Sequence, residues 1–144
     1  MKFLIINGPT INFLGIREKN IYGEESFESL LKRIEEHAIE LGVEVSTYQS
    51  NHEGDLIDAI QNAYYDKVDG IVINPAAYTH TSIALLDALK ATSIPYVEVH
   101  ISDISKREDF RKVSYVGLFA KKRIIGHGIN GYLEAMDFLK ELLG

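Results

Sequence analysis

This sequence predicts an α/β fold: a doubly wound, five-stranded parallel sheet with helices on both faces. Three observations support it. Five short apolar or alternating runs punctuate the chain, stretches with helical apolar spacing lie between and after them, and the alternation of the two is the pattern of a parallel sheet. The run from Phe3 to Ile6 is continuously apolar, as in a strand buried on both faces. A helix follows, with Ser26 as its N-cap. Phe27, Leu30, Leu31, Ile34, Ala38 and Leu41 recur on one face, and Gly42 stands at the C′ position. Val43 to Tyr48 alternates as a second strand, and Asp55 to Tyr64 is helical. Gly70 to Ile73 is a third apolar run, and Ser82 to Lys90 repeats the helical spacing. Tyr96 to Val99 follows Pro95, and Arg123 to Ile125 leads into a glycine cluster. Tyr132, Leu133, Met136, Leu139 and Leu143 form the last helical stripe. This count and length suit a flavodoxin-like arrangement.

Composition narrows the function. The chain has 144 residues, 46% of them hydrophobic, which suffices for one core, so 1–144 is expected to be a single domain. There is no cysteine, which excludes disulfides, thiol chemistry and cysteine zinc sites and agrees with a reducing cytosol. The start, MKFLIINGPT, has too short an apolar run for a signal peptide or a membrane span. A soluble cytoplasmic protein with no membrane partner is expected. A net charge of −6 argues against nonspecific nucleic-acid binding, because an acidic surface is repelled by phosphates. The one basic run, Lys121 to Arg123, reads as a solvated surface turn.

In such sheets ligands bind outside the carboxyl ends of the strands, and here those ends are polar. Asn7-Gly8-Pro9-Thr10 follows the first strand and Ser50-Asn51-His52-Glu53 the second. Asn74-Pro75, then Thr79-His80, follow the third, and the fourth ends in Glu98-Val99-His100-Ile101-Ser102. Turn formation and helix capping account for any one of these; four strand ends together point to a cavity.

The loop GIREKNIYG, Gly15 to Gly23, has no periodicity, and a mobile lid at about 15–25 is expected. Spacing alone favours a plain surface loop in which Arg17 stacks on Tyr22. A catalytic use is also open. A tyrosine of reference pKa about 10 is roughly 0.1% ionised at neutral pH. Lowering that value by two to three units takes about 3 to 4 kcal/mol, and a guanidinium at about 4 Å supplies roughly 4 kcal/mol at an effective dielectric near 20. Opposite, His100 could protonate a leaving group with Glu98 orienting it from the same strand face. A base, an acid and amide donors suit proton abstraction beside a carbonyl followed by loss of water.

The segments NGPTINFLGIREKNIYG, INPAAYTHTSIALLDAL, VEVHISDISKREDFRKVS and GHGINGY closely resemble, in the same order, the type II 3-dehydroquinate dehydratases. That resemblance implies a flavodoxin-like fold, trimers assembled into a dodecamer, and no cofactor or metal. It also implies anti elimination of water from 3-dehydroquinate to 3-dehydroshikimate through an enolate, within the shikimate route to aromatic amino acids or in quinate breakdown. Position by position, Tyr22 matches the proton acceptor and Arg17 its stabilising neighbour, while His100 matches the proton donor and Glu98 its partner. Asn74 and His80 match substrate-binding positions, Ile101 and Ser102 the pair that holds the substrate carboxylate, and Arg111 a hydroxyl ligand, with Arg107 one turn before it. Asp87 matches an acidic residue supplied across the trimer interface.

Two departures stand out. The family pattern NGPN reads NGPT here, so Thr10 replaces an asparagine of the enolate network. Threonine keeps a hydroxyl but loses the planar amide, and losing one oxyanion donor costs about 2.7 to 4 kcal/mol unless water replaces it. A slowed enzyme is expected. Lys19 stands where proline is frequent, and Ala120-Lys121-Lys122 departs from a small-residue pattern.

Other readings compete. Gly126-His127-Gly128-Ile129-Asn130-Gly131 spells GxGxxG, but the strand and acidic residue of a dinucleotide site would fall beyond the chain, so close packing at a turn is expected. A flavodoxin-type carrier would need a hydroxyl-rich phosphate loop in place of NGPTIN, and a phosphoacceptor domain would need acidic residues where Asn7 stands. An inactive relative is supported by Thr10 alone. Metal binding through His52, His80 and His100 lacks tight ligand spacing.

Overall fold

Five parallel strands in the order β2-β1-β3-β4-β5 form the sheet: β1 (Lys2–Asn7), β2 (Glu44–Gln49), β3 (Gly70–Asn74), β4 (Tyr96–His100) and β5 (Lys122–Ile125). This is the flavodoxin-like order, whose switch point lies between β1 and β3. The computed structural model describes residues 1–16 and 25–144. Four helices alternate with the strands: α1 (Phe27–Leu41), α2 (Glu53–Tyr65), α3 (Ile83–Thr92) and α4 (Asn130–Leu143). The expected elements are all present, most of them a residue or two longer than the apolar runs, since a strand's backbone pairing continues past its last apolar residue.

Strand parity divides the core. Phe3, Ile5, Val72, Val97, Val99 and Ile124 face α1 and α4, where they meet Leu30, Ile34, Tyr132, Met136 and Leu139. Leu4, Ile6, Ile71, Ile73 and Tyr96 face α2 and α3, against Leu56, Ile60, Leu85 and Leu89. Each such aliphatic side chain contributes about 1.5 to 3 kcal/mol on full burial. Because β1 and β3 are covered on both faces they read as near-continuous apolar runs, and β4, covered likewise, is broken by the buried Glu98. The edge strand β2, with exposed and half-buried residues in turn, reads as alternation.

Local signals set the helix ends. The Ser26 side chain accepts from the Ser29 N–H, and the Ser29 hydroxyl accepts from the Ser26 N–H, closing a capping box. Gly42 ends α1 at φ 69°, a left-handed conformation that glycine adopts at little cost. The GxGxxG segment is the tight turn expected of it. A Cβ on Gly131 would lie 3.3 Å from both Ile124 Cγ2 and Val99 Cγ1, so the glycine lets α4 close on the sheet. No helix among the described residues is long and apolar enough to cross a membrane. Most of the segment expected to form a lid, residues 17–24, lies outside the described residues.

Candidate active site

At the carboxyl end of β4, Glu98 and His100 project to the same side of the sheet, two residues apart, and both are buried. His100 Nε2 lies 2.5 Å from Glu98 Oε2. The same carboxylate accepts from the Ser114 hydroxyl at 2.8 and 3.0 Å. Arg123 donates from Nε to Oε1 at 3.0 Å and from a terminal nitrogen to Oε2 at 3.4 Å. Burial alone would raise the Glu98 pKa, but hydrogen bonding and charge from His100, then Arg123 and Ser114, outweigh it and hold the group below the ordinary glutamate value. An ionised carboxylate thus fixes the imidazole.

Lys121, Lys122 and Arg123 are all exposed, as the solvated reading expects, but most of the run is strand rather than turn. Lys122 and Arg123 belong to β5, and Arg123 pairs with Glu98 in the β4–β5 register. Parallel pairing brings the two side chains together although 25 residues separate them, and a single sequence does not reveal register.

At the switch point Asn7 and Asn74 are register partners on β1 and β3. The buried Tyr132 of α4 joins them: its hydroxyl donates to Asn7 Oδ1 at 2.6 Å and accepts from Asn74 Nδ2 at 2.9 Å. Burial pushes the phenol pKa upward, so the O–H remains a donor. Asn74 Oδ1 accepts from the Ala76 N–H at 3.1 Å. Asn74 is therefore held from both ends of its amide. Gly8 comes close enough to donate its N–H to the Asn74 carbonyl at 2.8 Å, and a Cβ there would lie 2.5 Å from the Pro75 oxygen. Sequence reading marked Asn74 but gave no role to Tyr132, Ser114 or Arg123. Tyr132 looked like one more apolar residue of the final helical stripe.

Thr10 follows in the same loop and is exposed. Its backbone is left-handed, φ 64° and ψ 3°, which crowds a β-branched side chain and is better suited to asparagine. Its N–H donates to Asn51 Oδ1 at 2.9 Å, and Gln49 Nε2 donates to Asn51 Oδ1 at 3.3 Å and to the Gly8 carbonyl at 3.1 Å. The polar end of β2 therefore supports the loop after β1.

The remaining sites divide. His80, at the end of a 3₁₀ turn (Ala76–His80), has Nδ1 2.7 Å from the Val113 carbonyl. Its pKa is lowered, chiefly by burial and further by the charges of His100 and Arg111, against raising contributions from the Val113 carbonyl and Glu98. A lowered pKa favours the neutral imidazole, which can donate or accept a hydrogen bond. Arg111 is held by Glu108 through Nε at 2.7 Å, and Arg107 closes the preceding 3₁₀ turn. Ile101 is buried directly after His100, and its carbonyl accepts from the Gly128 N–H at 3.1 Å; Ser102 beside it is half-buried. Asp87 is exposed on α3, and none of the hydrogen bonds among the described residues ties it to this cluster. Arg17 and Tyr22 lie outside the described residues. No group of three or more His, Asp or Glu side chains among the described residues is arranged to hold a metal ion, and His52 instead stands at the N-cap of α2.

The sequence profile of the family described as dehydroquinase class II matches residues 1–140. A 3-dehydroquinate dehydratase of Caldicellulosiruptor bescii is 56% identical over 142 residues, covering 99% of this chain and 98% of the relative. The crystal structure of a type II dehydroquinase from Butyrivibrio crossotus superposes with a TM-score of 0.95 at 54% identity, covering 96% of this chain and 97% of that one. A type II dehydroquinase from Propionibacterium acnes gives 0.92 at 39% identity, over 97% and 96% of the two chains.

Proposed function

The chain belongs to the class II dehydroquinases and shares their activity as 3-dehydroquinate dehydratases, which are hydro-lyases; on that premise we propose that it works by anti elimination through an enolate, with Tyr22 as proton acceptor and His100 as proton donor. The observation that carries this reading is the buried Glu98–His100 pair at 2.5 Å on the carboxyl end of β4. With Nε2 engaged by Glu98, the Nδ1–H is the donor left for the departing hydroxyl, and a fixed ring can deliver it along one direction. Tyr22, its phenol made acidic by Arg17, takes the proton beside the ketone. The electrons pass into an enolate and then expel water from the far side. No metal or cofactor is required for these proton transfers.

Asn74 and His80, with Arg111 and the backbone at Ile101 and Ser102, bind the substrate's hydroxyls and carboxylate. Thr10 stands at the edge of the enolate network and lowers the rate. Asp87 reaches the site of a neighbouring subunit, and trimers build a dodecamer. In support, Ile83, one turn before Asp87 on α3, is exposed, as are Leu118 and Phe119 beside that helix.

The test mixes chelator-treated protein with 3-dehydroquinate and follows the ultraviolet absorbance of the conjugated enone. A rise that survives borohydride is expected, because no lysine Schiff base takes part; no rise from correctly assembled protein overturns the reading. Tyr22→Phe keeps the ring and removes the acceptor, so substantial retained turnover would exclude the tyrosinate.

A further inference from the structure

Glu98 and His100 share one short hydrogen bond in a buried place, and such a pair has two ways to hold its proton. It can sit on the imidazole, leaving a carboxylate and an imidazolium, or on the carboxylate, leaving both groups neutral. Low-dielectric surroundings favour the neutral form. An acid catalyst needs the first arrangement, because the Nδ1–H of an imidazolium is a far stronger acid than the same N–H of the neutral ring left when the shared proton rests on Glu98.

We propose that Arg123 is a positioning residue for this reaction: its guanidinium, seated in the space left by Gly117, keeps the shared proton on His100. Two features make this a built arrangement. Arg123 Nε lies 3.0 Å from Oε1, on the oxygen that His100 does not use. A Cβ on residue 117 would lie 2.6 Å from that same Oε1 and 2.8 Å from Arg123 Nε, so a glycine is what admits the guanidinium. The Gly117 N–H donates to the Ser114 hydroxyl at 2.9 Å, and that hydroxyl donates onward to Glu98. The loop is thus tied to the carboxylate it leaves room beside.

The other groups facing Glu98 do not replace Arg123. Tyr96, on the same strand, has its phenol pKa pushed up to about 12 by burial and then by the Glu98 charge, and its hydroxyl donates to the Val116 carbonyl. From the 3₁₀ turn after β3, His80 senses both Glu98 and His100 but has its pKa lowered, so it carries little charge at neutral pH. Arg111 faces His80 and is paired with Glu108. Among the described residues whose side chains hydrogen-bond to the Glu98 carboxylate, Arg123 is the permanent cation. The inference rests on the proposed acid role of His100.

The experiment is a heteronuclear NMR pH titration of the His100 ring in wild type, Arg123→Met, Arg123→Lys and Gly117→Ala, with the pH profile of kcat measured alongside. Removing a cation from beside the pair should raise its apparent pKa values by about one unit, the low end for an arginine next to a carboxylate because this one is partly exposed. The ring shifts of Arg123→Met at neutral pH should move towards the neutral imidazole, and the kcat profile towards higher pH. Arg123→Lys should recover at least half of both changes. Gly117→Ala should move them in the same direction by crowding the guanidinium without removing it. Superimposable titrations in wild type and Arg123→Met would overturn the proposal, as would a fall in kcat with no movement along the pH axis, which is what a mere structural prop gives. Should Arg123→Met not fold, Arg123→Gln is read in the same way. Absence of dehydration by the wild type would refute the proposed function while leaving the NMR comparison decisive for Arg123.

Discussion

Two ends of the site are held in different ways. After β4, one buried carboxylate gathers an imidazole, a hydroxyl and a guanidinium within 3.4 Å, and the functional group sits on a strand covered from both sides. After β1, Thr10 is exposed on a loop, left-handed, and steadied through an amide of the next strand's end. The first region fixes direction, which an acid needs because a proton is delivered along one line. The second shapes a polar rim, where a water can replace a side chain, and on the proposed reading a substitution there costs rate without abolishing activity.

The largest effect is expected at the rigid end. His100→Ala should lower kcat by about 10³-fold, within the 10²–10⁴ range of a lost general acid, with KM nearly unchanged; steady-state kinetics decide this. A loss under tenfold would show that proton delivery does not depend on the fixed imidazole.

Glu98→Gln probes the same region through stability. The folded pKa of Glu98 lies below its ordinary value of 4.5. Its charge therefore contributes stability that is fully present above about pH 4.5 and is lost as pH falls through the lower folded value. Replacement should cost about 2 kcal/mol at neutral pH, because it leaves the partly exposed Arg123 without its anion. The gap between variant and wild type should close in acid. Urea unfolding at several pH values tests this, and a gap that is constant with pH contradicts it.

Between the two ends, Tyr132→Phe should cost about 1 to 3 kcal/mol, since Asn7 Oδ1 and Asn74 Nδ2 are buried and would each lose a partner. It should also raise KM more than it lowers kcat, because the role proposed for Asn74 is to bind substrate and not to transfer a proton. Equal effects on both constants would place Tyr132 nearer to the chemistry.

The same contrast explains what was legible in the sequence. Strand and helix positions follow from local apolar spacing, and Ser26 and Gly42 act where their capping chemistry predicts. Glu98 and His100 were recognisable because period-two spacing puts them on one strand face. Arg123, Ser114 and Tyr132 were not. Each acts through a partner that only strand order, register or helix docking brings near, and the basic run around Arg123 carries no mark that one of its exposed cations reaches a buried carboxylate. Thr10 was visible as a departure in residue type, but its left-handed backbone was not, because φ at that turn is set by the approach of Gly8 to β3 and by the bond to Asn51.

That backbone makes Thr10→Asn the mildest change and the sharpest for the rim. Asparagine adopts the left-handed region more readily than a β-branched residue, so relief of strain should stabilise the fold by about 1 kcal/mol. On the proposed reading it also returns a planar amide to the enolate network, where a full oxyanion donor is worth about 2.7 to 4 kcal/mol and a substitute water recovers part of that. A gain in kcat of about tenfold is expected. Thermal unfolding and turnover separate the two contributions: strain relief raises Tm without moving kcat, whereas the restored donor raises kcat. If Tm rises and kcat stays put, the threonine's disadvantage lies wholly in the backbone, and water already does the asparagine's work at the rim.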